Sequence, residues 1–225
     1  MKLLVHLAVR RGAEESVAAQ LAALGRELAA RGSFASVATL WRIAGEPFGA
    51  SSPWKGTLEL VARGDDAAPL VAAAKGLAAR FGDAVHADLS AALVGQDHVI
   101  IPGPRTPVRY QYSMRRREGF THDSYLRRYL EIHSRFGFET PEIQGYVQCH
   151  LDPAASREAA ARAGFGVCDV DSVSELHLGS LERFLAAIAH STIGADAMAD
   201  EEVFVDRDHS YSVCCDVAWH APVPS

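Results

Sequence analysis

One order of elements is written twice along this chain. Between Ile101 and Val108 runs Pro102-Gly103-Pro104-Arg105-Thr106-Pro107, a stiff extended linker that divides the 225 residues almost in half. The first half opens on an alternating strand, 2–10, with Leu3, Val5, Leu7 and Val9 on one face. A helix over about 13–31 follows, with Val17, Leu21, Leu24 and Leu28 on one side and Gly32 as its stop. Strands at 35–43 and 56–62, a helix at 67–81 and a strand at 97–101 complete it. The second half reads as a strand at 108–115 and a helix at 122–136, with Thr121 as N-cap and Gly137 as stop. A strand at 144–151, a loop to about Asp171, a strand at 172–178, a helix at 181–190, a polar turn and a strand at 210–219 follow.

The letters repeat weakly as well. With Val9 laid on Met114, VRRGAEESVAAQLAALGRELAARG runs along MRRREGFTHDSYLRRYLEIHSRFG without a gap. After small gaps Glu59-Leu60 falls on Glu175-Leu176, and Asp97-His98 on Asp208-His209. The expected fold is α+β: tandem ferredoxin-like βαββαβ repeats forming an α/β-barrel, an intrachain pseudo-dimer. The N-terminal, degenerate repeat takes 1–101, the linker 102–107 and the C-terminal repeat 108–225. Each repeat puts both helices on one sheet face and leaves the other bare, so the halves are expected to cover each other sheet against sheet.

Strand alternation assigns the faces. Val108, Tyr110, Tyr112 and Met114 form one row of the 108–115 strand; Val147, Cys149 and Leu151 form a row of 144–151. These are expected under the helices. Gln111, Ser113, Gln148, His150, Glu175 and His177 are expected on the opposite face.

Composition narrows the function classes. A net charge of −6 and no basic stripe with interleaved aromatics argue against nucleic acid; Arg115-Arg116-Arg117 reads as a solvated turn, with an anion site as the other reading. No run approaches the roughly 20 apolar residues that span a bilayer, and the apolar start of MKLLVHLAVRR is too short for a signal peptide, so a cytoplasmic protein is expected. Cys149, Cys168, Cys214 and Cys215 lack zinc-type spacing and read as reduced thiols, with Cys214 and Cys215 on opposite strand faces. Glycine-rich dinucleotide or phosphate loops, HExxH and GxSxG are absent from the sequence. Asp65-Asp66 and Asp200-Glu201-Glu202 read as helix-terminal or turn residues rather than metal ligands.

The candidate chemistry gathers on one helix. Tyr125, Tyr129 and His133 stand at i, i+4 and i+8, flanked by Leu126, Leu130 and Phe136. Burial would keep the imidazole neutral with one nitrogen as acceptor, which suits a general base; a hydrogen-bonded core histidine is the other reading. Tyr110, Tyr112 and Met114 point at that helix, and a phenol there can hold a substrate oxygen or simply pack. The N-terminal copy has Gln20, Leu24 and Leu28 at the positions of Tyr125, Tyr129 and His133, so one site per chain is expected. For His150, His177 and Glu175, a polar lining and a metal or acid–base role both stand.

The segment MRRREGFTHDSYLRRYLEIH, with the tail DEEVFVD, resembles the EthD-domain pattern. The resemblance covers about 108–219. It implies a dimeric α/β-barrel fold with a pocket for a small apolar, aromatic or polyketide-like molecule, and His133, Tyr112 and Tyr129 as its working groups beside Tyr110, Tyr125, Met114, Leu126, Leu130 and Phe136. Cyclisation, decarboxylation or oxygenation without organic cofactor or metal is the implied chemistry. A non-catalytic carrier, an oligomerisation module and a haem-handling enzyme with His133 as axial ligand stand as alternatives, and a homodimer is left open.

Overall fold

The structure is a computed structural model, and residues 1–104 and 106–222 are described; Arg105 of the linker lies outside them. In chain order the elements are β1 (Lys2–Leu7), α1 (Glu14–Ala30), β2 (Phe34–Arg42), β3 (Gly56–Ala62), α2 (Ala68–Ala73), α3 (Leu77–Phe81) and β4 (Ala91–Ile101). After the linker come β5 (Val108–Arg116), α4 (His122–Arg128), a π-helical turn (Tyr129–His133), α5 (Arg135–Glu139), β6 (Ile143–Leu151), α6 (Pro153–Ala163), β7 (Ser172–Leu178), α7 (Leu181–Ile188), α8 (Ile193–Phe204) and β8 (Val205–Pro222).

Both halves have the ferredoxin-like strand order, β4-β1-β3-β2 and β8-β5-β7-β6, with every pair antiparallel. They do not stack face to face. Their edges join, β2 to β8 and β4 to β6, closing one eight-stranded barrel. Closure satisfies the backbone groups that two open sheets would leave exposed at four edges, and it turns the bare faces into a lumen.

The lumen accounts for the polar rows. Lys2 bonds Glu175 and lies 2.9 Å from Asp97, and Arg109 lies 3.2 Å from Glu59 and 3.6 Å from Glu175. Gln111 donates to Glu175 at 2.8 Å. The arrangement is two-fold: Glu59 faces Leu4 and Glu175 faces Gln111 across their ladders, and two residues before each of these stands the cation, Lys2 or Arg109. The Glu59/Glu175 match in the sequence is therefore a structural one. The Asp97/Asp208 match is not, since Asp97 reaches into this cluster while Asp208 is exposed.

Register overturns one face assignment. Gln148 pairs with Ser174 and His150 with Ser172, whereas Val147 and Cys149 pair with Glu175 and Val173. Cross-strand partners share a face, so Val147, Cys149 and Leu151 look into the lumen, with Leu4, Leu93 and Val173 around Cys149 and Leu151. Tyr146, Gln148 and His150 lie under the helices instead. His150 is thus separated by the sheet from Glu175 and His177, and these three form no site. Cys214 and Cys215 do face opposite ways, one toward α7 and one toward the lumen.

Two segments read as loop or turn are helices. DPAASREAAARAG carries full helix signals: Asp152 caps Ala154 and Ala155 at 2.8 and 3.0 Å, Pro153 sits in the first turn, and Gly164 ends the helix at φ 77°. Its alanine face, Ala159 and Ala163, joins the N-terminal core. The stretch after His190 forms α8. The 67–81 helix is broken into α2 and α3 at Gly76, which adopts φ 75°. Helical backbone also runs past Gly137 to Glu139; a Cβ at Gly137 would come 2.3 Å from Tyr146 Cδ1, so the residue makes room for that ring rather than stopping the helix.

Candidate functional site

Thr121 starts the critical helix by accepting from the Ser124 backbone N–H at 3.1 Å. Seven residues later the α-helix widens into the π turn Tyr129–His133, a rare geometry that recurs at functional sites. The turn delivers His133 to the helix–sheet seam, where it is 7% exposed. α8 packs across it. Ala197 and Glu201, one turn apart, and Tyr110, Tyr112 and Met114 of β5 close a cavity of about 110 Å³ with His133, Phe136, Gly137, Thr140, Ile143, Tyr146, Ser174 and Leu176. An engineered cavity of about 150 Å³ admits benzene, so this smaller space holds no more than one small ring.

His133 is held at Nδ1. Its Nδ1 is 2.9 Å from Asp200 Oδ2, while the other Asp200 oxygen accepts from Arg128. An ionised carboxylate only accepts, so Nδ1 carries the proton and Nε2 keeps its lone pair. Nε2 lies 3.8 Å from Glu201 Oε1. Burial lowers the imidazole below its ordinary pKa, and the Asp200 contact partly offsets that. Burial pushes the Glu201 carboxyl up to about 7; Arg207, 4.0 Å away, opposes the shift and Asp200 adds to it. Burial also raises the phenols of Tyr110 and Tyr112, which stay neutral donors.

Of the residues singled out in the sequence, the cavity brings together His133, Tyr112, Tyr110, Met114 and Phe136. Tyr125 and Tyr129 are fully buried behind it. The Tyr125 hydroxyl is 2.7 Å from Ser172 Oγ, and the Tyr129 hydroxyl accepts from Tyr146 at 3.3 Å. Leu126 packs beside Tyr125 and Phe204, and Leu130 is half-buried off the lining. The period that aligned the two tyrosines with His133 buries all three, and of the three only His133, at the end of the π turn, reaches the cavity lining. Asp200 and Glu201 were read as helix-end residues. The available signal was their phase: Ala197 and Glu201, like Asp200 and Phe204, are spaced i, i+4 on what proves to be a helix.

Other polar groups gather elsewhere. A cavity of about 200 Å³ at one barrel mouth is lined by Lys2, Asp97, Arg109 and His177 among others. Among the described residues no group of three or more His, Cys, Asp or Glu is arranged to hold a metal ion, and no helix is long and apolar enough to cross a membrane. A porphyrin does not fit the His133 cavity, and a carboxyl faces the nitrogen that would ligate its iron.

A closed antiparallel barrel with helices outside, both halves supplied by one chain, is the dimeric α/β-barrel fold. Residues 117–208, the stretch that carries His133, match the EthD domain model. Solved structures share the architecture at low identity. An anthrone oxidase-like protein aligns with TM-score 0.63 and 12% identity over 100% of this chain and 93% of its own. A candidate monooxygenase from Fusobacterium nucleatum aligns with TM-score 0.58 and 9% identity over 98% and 93%. A mutant chlorite dismutase from Candidatus Nitrospira defluvii aligns with TM-score 0.52 and 12% identity over 97% and 90%. At such identities the likeness concerns the fold. Comparison with curated proteins gives no match.

Proposed function

We propose that the EthD half binds a small aromatic or cyclic ketone-like molecule in the His133 cavity and carries out acid/base chemistry on it without an organic cofactor, with His133 as base. The observation that carries this reading is the state of the imidazole: Nδ1 is tied to Asp200 and Nε2 is left as an acceptor on the cavity wall. Tyr110 and Tyr112 supply neutral hydroxyls to orient a ligand oxygen. The volume favours a single ring; a fused polyketide requires the walls to move.

Binding and base are tested separately. Resorcinol should displace the His133 imidazole resonances of the wild type, and Ala197→Phe, which fills the cavity, should abolish the displacement. The wild type should also speed exchange of the α-hydrogens of cyclohexanone in D₂O, with His133→Gln slower by roughly 10²–10⁴-fold, the range for loss of a general base. Displacement that survives Ala197→Phe would place binding elsewhere. Exchange no faster than buffer, with binding intact, would leave a carrier.

A further inference from the structure

We infer that Glu201 is the proton donor that works opposite His133, so that the site enolises a ketone by moving two protons at once; this rests on the base reading above. The two heads line one cavity, with Nε2 and Oε1 3.8 Å apart. That is too long for a hydrogen bond between them, so each is free to meet a ligand. A carbonyl oxygen and an α-hydrogen sit on adjacent carbons, and one small ring can offer both across such a gap.

The charge states fit the roles. Asp200 fixes the proton on Nδ1, leaving His133 able to accept only at Nε2. Among the described residues Glu201 has no arginine or lysine within salt-bridge contact closer than Arg207 at 4.0 Å, and Arg207 is half exposed, so burial dominates and the carboxyl keeps its proton to about pH 7. Around the pair stand Asp200 of α8, Arg128 of α4, Arg135 of α5, Arg207 of β8, Tyr110 and Tyr112 of β5 and Tyr146 of β6.

The step balances without a further reactant. The α C–H bond breaks and its proton goes to His133 Nε2. The electron pair becomes the C=C bond, and the carbonyl oxygen takes the Glu201 proton to become O–H. An imidazolium and a carboxylate remain, and return of the Nε2 proton to Oε1 across the 3.8 Å gap resets the site. The substrate class is therefore a single-ring ketone, or the keto form of a phenol, with an acidic α-hydrogen.

Cyclohexanone exchange in D₂O, followed by NMR against pH, tests this. The base requires pH above the lowered His133 value and the acid requires pH below about 7, so the wild-type rate should fall above pH 7. Glu201→Gln should lose about 10²-fold and lose that alkaline limb, Glu201→Asp should recover part of the rate, and the ¹³C titration of the wild-type Glu201 carboxyl should coincide with the limb. If Glu201→Gln keeps the wild-type rate and limb while His133→Gln is slow, the inference fails and the base reading stands. A Glu201 carboxyl that titrates in the ordinary carboxylate range would equally overturn it. Loss of exchange in neither variant would remove both.

Discussion

His133 changes meaning according to what stands around it. A buried histidine on an apolar stripe is ordinary; this one lines a cavity and has its Nδ1 held by the Asp200 carboxylate, which leaves Nε2 as the acceptor that the proposed base requires. Asp200 acts on both neighbours in the same direction, because its charge favours the protonated form of the imidazole and of the Glu201 carboxyl. Asp200→Asn should therefore lower both pKa values, moving the alkaline limit of exchange to more acidic pH, with the two titrations read by NMR. A limb that stays at pH 7 in this variant would show that Asp200 does not set the site's protonation.

Elements explain which residues the sequence could reveal. The helix starting at Thr121 and the row Tyr110, Tyr112 and Met114 follow from local period and capping, and both appear where expected. α6 has no counterpart in the N-terminal half, so the repeat itself concealed it, although Asp152, Pro153 and Gly164 are plain helix punctuation; α8 stands where only the short α3 follows α2 in that half. Asp152→Ala should cost about 1 kcal/mol, the usual value of an N-cap, measured as a shift of the urea midpoint. An unchanged midpoint would mean that α6 is held by its alanine face alone. α8 bears on the proposed site: it carries Ala197 and Glu201 to the cavity and Asp200 to His133, and nothing in its local sequence states which helix it will cover.

At the scale of the whole molecule, closing the barrel within one chain removes the need for a second copy to complete the sheet. It also buries a charged cluster. Burial would raise Glu175, yet Lys2 and Arg109 hold it well below the carboxylate range, whereas burial leaves Glu59 raised. The linkage follows from those directions. Glu175 contributes stability above its unfolded pKa near 4.3, lost as pH falls through its depressed folded value. Glu59, with its folded pKa raised, favours folding most when protonated and contributes less as pH rises. Glu175→Gln should thus cost about 3–5 kcal/mol, as expected when a buried ion pair loses one partner, and Glu59→Gln distinctly less, by urea unfolding at pH 7. Equal costs would mean that the two carboxylates share the cations evenly.

What the residues determined alone was local: the order of strands, the cap at Thr121, the apolar faces of β5 and α1, and the repeated element order on either side of the linker. These depend on periods of two and 3.6 residues and on neighbours a few places away. Which face of β6 turned inward, and whether Glu201 met His133, depended on register and docking between segments far apart in the chain. Alternation defines an apolar and a polar row in β6 but not which of them faces the lumen, and only the register with the partner strands β4 and β7 chooses.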